Sequence, residues 1–167
     1  GPAGSEGWFR TAVRNPAKAV VQSVRQAGSG YTVTIATAVR SATGSARGVF
    51  AVDIDWAKVS TLALSPLETA YHTKGESSLR AYVVDASGQV LGSTSPNEIL
   101  AMKVPDADVV KSIASRNTGS ALGSLVNGST GLLSFSPLAK YDSSADASGI
   151  MAGHASIVVS MSEGDAF

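Results

Sequence analysis

The sequence predicts an α+β fold in which antiparallel sheets are flanked by helices. Paired runs with a two-residue apolar period are separated by short turn-forming stretches. Amphipathic helical segments fall between those pairs. The chain also lacks the regular strand–helix–strand alternation that a doubly wound parallel sheet requires.

Gly1-Pro2-Ala3-Gly4-Ser5 reads as the remnant of a protease-cleaved tag, so residues 1–7 are set aside as a disordered start. Residues 8–27 open with the aromatic pair Trp8-Phe9. Pro16 disfavours helical geometry at Asn15 and places a turn there, while residues 17–21 read equally as helix or strand. Gly28-Ser29-Gly30 is a flexible break. Residues 31–40 (YTVTIATAVR) then alternate: Tyr31, Val33, Ile35, Thr37 and Val39 point one way, and Thr32, Thr34, Ala36 and Ala38 the other. Residues 41–47 supply turn chemistry and residues 48–55 (GVFAVDID) a second strand, giving an antiparallel hairpin. Residues 56–64 read as a helix with Asp55 at its cap, Trp56 in the core and Ser65-Pro66 at its end.

A second unit follows. Residues 80–85 and 89–93 flank Ala86-Ser87-Gly88, a tight turn, and form another hairpin. A helix is expected from Pro105-Asp106 to about Arg116, with Val109, Val110 and Ile113 on one face. Strands are expected at residues 121–126 and 131–139. A loose stretch, 141–149, precedes a last strand at 154–161, whose Ala155, Ile157, Val159 and Met161 make one apolar face. The organisation read from this order is one unit over residues 8–64 and another over residues 65–167.

Composition narrows the function. Hydrophobic residues make up 44% and charged residues 16%, enough for a core and too little charge for a disordered polyelectrolyte. Thirteen basic and thirteen acidic side chains cancel, with no basic stripe, so no nucleic-acid partner is expected. The absence of cysteine excludes a thiol nucleophile, a zinc ribbon and a disulfide scaffold. No run approaches the ~20 apolar residues needed to cross a bilayer.

Catalytic motifs are missing too. His72 and His154 stand far apart without further ligands at metal spacing. There is no G-x-S-x-G elbow, Walker loop or G-x-G-x-x-G. The reading is therefore no enzyme, no metal and no cofactor. Asn127-Gly128-Ser129 matches the glycosylation sequon, which matters only in a eukaryotic source. Asp53 is more informative. It shares a strand face with Val49 and the small Ala51, which leaves room for a ligand, and a carboxylate in a partly dry pocket would seek an ammonium group. Alternatively, Asp53 caps a turn or pairs with an arginine at the surface. Trp8 and Phe9 are suited to wall a small-molecule site, or to anchor the N-terminal segment on the core.

Three stretches in this order, Trp8-Phe9-Arg10-Thr11-Ala12, YTVTIATAVR and GVFAVDI, resemble the later half of the membrane-distal module in double Cache domains. AYVVDASGQV (residues 81–90) is similar to the strand–turn–strand that opens the membrane-proximal module, and residues 154–167 to its closing strand. The resemblance implies PAS-like Cache modules in the extracytoplasmic, periplasmic or extracellular, sensor region of a transmembrane receptor, with the N-terminal part of the distal module missing. It implies a small-molecule ligand (amino acid, amine or organic acid), membrane attachment in the full-length protein and a homodimer formed through receptor helices. Trp8, Phe9 and Asp53 fall on positions that hold amino-acid ligands in one subgroup, and Tyr31 joins them as a candidate. That subgroup carries an arginine just before the tryptophan, where Ser5-Glu6-Gly7 stand here, and usually tyrosine where Phe9 stands. The competing reading is a structural or dimerisation module without a ligand.

Overall fold

The computed structural model describes residues 7–75, 78–138 and 155–167. Two compact units divide at Asp55/Trp56. The proposed boundary at 64/65 lies within a helix.

The first unit contains α1 (Gly7–Arg14), β1 (Val20–Val21), β2 (Arg25–Ala27), β3 (Gly30–Arg40) and β4 (Ala46–Asp55). The expected hairpin is the antiparallel β3–β4 pair, in register from Thr32↔Asp55 to Arg40↔Ala46 with an irregularity at Val39/Arg40. β1 and β2 share the other edge of β3, through Val20↔Ala36 and Gln26↔Tyr31. Neither was legible as a strand, because two or three residues show no period. The stretch left open between helix and strand thus ends as β1, and the break at Gly28 is a tight turn with Gly28 at φ +61°, a left-handed geometry that glycine adopts freely.

The even-numbered face of β3 is the covered one. Ala12 of α1, Val20 and Ala36 form a small core, with Trp8 and Val49 packed against it. Short alanine side chains let a helix approach the sheet closely. On the other face Val33 is buried, but Ile35, Val39, Phe50 and Val52 are 36–61% exposed. The larger hydrophobes of this ribbon therefore lie on its open side.

The second unit begins with α2 (Trp56–His72), which corrects the expected stop at Ser65-Pro66. Pro66 removes one backbone donor and ordinarily breaks a helix interior. Burial of Ser60, Leu64 and Glu68 along one stripe holds the helix through it. The strands that follow are β5 (Arg80–Val84), β6 (Val90–Ser93), β7 (Gly119–Ser124), β8 (Thr130–Pro137) and β9 (Ser156–Ser162). They form an antiparallel sheet in the order β6-β5-β9-β8-β7. Counted within the unit this is second, first, fifth, fourth, third, a PAS-like arrangement. The first hairpin closes as expected: the Asp85 carboxylate accepts bonds from the Ser87 and Gln89 amides at 2.8 and 2.9 Å. Gly88 sits at φ +77°, and a Cβ there would come within 2.7 Å of Val110.

α3 (Ala107–Ala114) starts after Asp106, whose carboxylate caps it by accepting from the Asp108 and Val109 amides. The expected helix ran from Pro105-Asp106 to about Arg116. Pro105 instead precedes the cap, and Arg116 has turned to φ 58°. Val109 and Ile113 pack with Tyr82, Val84, Leu133, Phe135 and Val158 into the main core. β9 corrects a second expectation. Its buried residues are Ser156, Val158 and Ser160, whereas Ile157, Val159 and Met161 are only partly covered. Hydropathy assigned the wrong face because the serines are accommodated against the sheet core. His154 and residues 141–149 lie outside the described residues. The short α4 (Glu163–Ala166) is tied back by Asp165, which accepts from the Ser78 amide at 2.8 Å and from its hydroxyl at 2.5 Å.

α2 is fixed to the sheet by polar contacts. The Trp56 indole N–H donates to the Leu91 carbonyl at 2.6 Å, and Ser60 donates to the Ser93 carbonyl at 3.2 Å. Trp56 is thus half-buried and anchored through its indole N–H. A Cβ on Gly92 would come within 3.0 Å of Ser60, so glycine sets how closely helix and sheet approach. Glu68 accepts from the Ala81 amide at 3.0 Å and the Thr94 hydroxyl at 2.9 Å, with Arg80 at 3.6 Å.

Two outcomes follow. Glu68→Ala leaves the Ala81 N–H without its acceptor and should cost about 2–4 kcal/mol in urea unfolding, with Glu68→Gln costing less than half as much. Tyr82 is pushed up from 10.0 to about 12 by burial first and then by Glu98 and Glu68, with Arg80 opposing. Its native-state pKa is raised, so its contribution is complete below pH 10.0 and is lost as pH rises toward about 12. Tyr82→Phe should remove that part of the alkaline loss, about 1 kcal/mol by pH 11, measured by denaturant unfolding from pH 8 to pH 11.

Candidate functional site

A groove of about 410 Å³ opens on the first unit where α1, β1, β2 and the segment joining the two strands meet. The turn after Arg14 brings the chain back so that β1 lies beside α1. The Gln22 amide then donates to the Thr34 carbonyl at 2.8 Å, which ties the joining segment to β3. Trp8, Val20 and Val24 form an apolar wall, and Thr11, Gln22, Ser23 and Arg25 supply polar groups.

Arg25 reaches this position because β2 pairs with β3 through Arg25↔Thr32. Its Nη2 lies 3.3 and 3.4 Å from the two Asp53 carboxylate oxygens and donates to the Thr34 hydroxyl oxygen at 3.2 Å. Thr34 donates in turn to Asp53 Oδ1. Thr34 and Asp53 are direct cross-strand partners, so the register of β3 and β4 builds this triad. The side chains of Arg25 and Asp53 are 46% and 60% exposed, a surface ion pair held at both ends by sheet backbone.

The sequence-derived candidates divide. Trp8 lines the groove and packs on the small core. Phe9 meets Trp8 edge-on, with ring centroids 6.0 Å apart and planes at 72°, and does not line the groove. Tyr31 stands near the start of β3 opposite Gln26, half-buried, again away from the lining. Asp53 is joined to Arg25, so of the two readings weighed for it, pairing with an arginine at the surface is the one observed. Sequence reasoning missed Arg25, Thr11, Gln22 and Ser23. A signal for Arg25 was present: Gly28-Ser29 as a two-residue hairpin turn places Arg25 opposite Thr32.

Among the described residues no three His, Cys, Asp or Glu side chains are grouped to hold a metal. His72 Nε2 lies 3.3 Å from the Leu79 carbonyl. Asn127 serves a turn, accepting from the Ser129 amide at 3.1 Å and hydroxyl at 2.8 Å.

No protein-family model matches the sequence, and no curated protein matches it. Similarity appears in three dimensions. The structure of methyl-accepting chemotaxis protein X shares 18% identity at a TM-score of 0.67, covering 96% of this chain and 56% of that one. The periplasmic sensory domain of the Campylobacter jejuni chemoreceptor Tlp1 gives 12% and 0.65, covering 95% and 55%. The ligand-binding domain of the Pseudomonas aeruginosa amino acid chemoreceptor PctB, in complex with L-Arg, gives 16% and 0.60, covering 98% and 57%. The chain thus has the α+β, PAS-like fold of Cache-type sensory domains, and spans 55–57% of the length of these three structures.

The exposed geometry of the ion pair sets an expectation for stability. Arg25→Ala and Asp53→Asn should each change the unfolding free energy by less than about 1 kcal/mol, checked by urea titration.

Proposed function

We propose that the chain is the ligand-sensing part of an extracytoplasmic receptor region, non-catalytic, and attached to a membrane in the full-length protein. The small molecule binds in the groove between Trp8 and Arg25. The carrying observation is that groove: an apolar wall facing convergent polar groups, about 410 Å³ in volume, within the roughly 300–1,000 Å³ usual for small-molecule sites. The likeness of the fold to chemoreceptor sensory domains, with L-Arg bound in the case of PctB, supports the same reading. Amino acids, amines and organic acids are the candidate ligands. Binding transmits a signal only if the ligand prefers one of two arrangements of the module. The groove joins α1 to the strands β1 and β2 that edge β3, so a ligand there biases the seat of α1 on the sheet. Pairing of two receptor copies completes the proposal.

A non-binding structural or dimerisation module is the second reading. The Arg25–Asp53 pair favours it, because each charge is already met by the other.

Titration calorimetry and thermal unfolding with amino acids, primary amines and short carboxylic acids separate the two. A ligand at a hundred times its Kd should raise Tm by ~5–10 °C and change the emission of Trp8, a change that Trp8→Phe removes. If no compound in the panel shifts Tm, the structural reading stands instead.

A further inference from the structure

Resting on the groove as the ligand site, we infer that it selects a small organic anion, a carboxylate held by Arg25, and turns simple amines away. The argument is one of charge placement. Among the described residues Arg25 is the charged residue of the groove lining, and Asp53 does not belong to that lining. An ammonium group entering the groove therefore meets a guanidinium before any carboxylate. Both Asp53 oxygens lie within 3.4 Å of Arg25 Nη2, and Oδ1 also accepts from Thr34. Arg25 thus already occupies the place at Asp53 that a ligand ammonium would take.

The same geometry leaves the guanidinium able to serve an anion. Among the described residues its hydrogen bonds all leave from Nη2, so Nε and Nη1 remain as donors. A two-point contact with a carboxylate pairs Nη2 with Nε or Nη1, so a ligand shares Nη2 with Asp53 or takes its place there. Thr11, Gln22 and Ser23 add neutral polar groups beside it, while Trp8, Val20 and Val24 offer a surface for an apolar body. Asp53 then competes with a ligand carboxylate for Arg25, while Thr34 holds Arg25 toward β3, at the groove's edge. The ion pair is exposed and hence weak, so exchanging one carboxylate for another costs little.

Calorimetry on the whole chain with propionate, succinate and benzoate, against propylamine and L-alanine, tests the assignment. At least one carboxylate should bind and propylamine should not. Arg25→Ala should weaken that carboxylate by about tenfold to a hundredfold, and Arg25→Lys should restore part of the loss by returning the charge without the fork. Asp53→Asn should leave carboxylate binding equal or tighter, since it releases Arg25. Circular dichroism confirms that each variant is folded. Propylamine binding that is lost in Asp53→Asn would overturn the anion assignment and leave ligand sensing intact. Carboxylate binding unchanged in Arg25→Ala would do the same. Absence of binding by all five compounds overturns both.

Discussion

The ladder between β3 and β4 is the constraint on which the first unit depends. Eight Cα pairings run along it without a break from Thr32↔Asp55 to Val39↔Gly48, and they decide which side chains share a face. Because side chains alternate with period two, a slip of one residue would carry Asp53 to the opposite face from Thr34 and Arg25. The other edge of β3 receives β1 and β2 in fixed registers. Trp8, which packs with Ala36, and Arg25, which pairs opposite Thr32, are thereby brought to one groove although separated along the chain.

The second unit rests on a different device. α2 crosses β5 and β6 with polar groups at the contact: Ser60 on the Ser93 carbonyl, Trp56 on Leu91, and Glu68 on the Ala81 amide. A largely buried carboxylate is costly unless its oxygens are bonded. Glu68 meets that requirement with a backbone amide, a hydroxyl and a nearby guanidinium, which explains why it is tolerated at 6% exposure. The same contacts explain why Pro66 bends to the tertiary structure. One lost backbone bond is outweighed by packing on both sides of it along the buried stripe.

At the groove, charge and solvent exposure act together. A carboxylate sealed in a dry pocket would demand a cation, which is what the strand-face pattern around Asp53 suggests. At 60% exposure and with Arg25 beside it, Asp53 makes no such demand. It pairs with the guanidinium instead, and the guanidinium is the group that lines the groove. Which ion of a pair lines a cavity therefore matters more than the presence of either in the sequence.

Local chemistry by itself determined much of the fold. Alternation found β3 and β4, the Ala86-Ser87-Gly88 turn fixed the β5–β6 hairpin, and Pro105-Asp106 with Val109, Val110 and Ile113 marked α3, because each signal lies within a few residues of the element it creates. The PAS-like, antiparallel α+β architecture followed from their order. Tertiary structure alone decided the rest. It extended α2 through Pro66, buried Ser156 and Ser160 in place of Ile157 and Met161, made strands of residues too few to show a period, and turned Asp53 toward Arg25. In each case the deciding contact joins residues distant in sequence, and the free energy of that contact outweighs a local preference of about 1–3 kcal/mol.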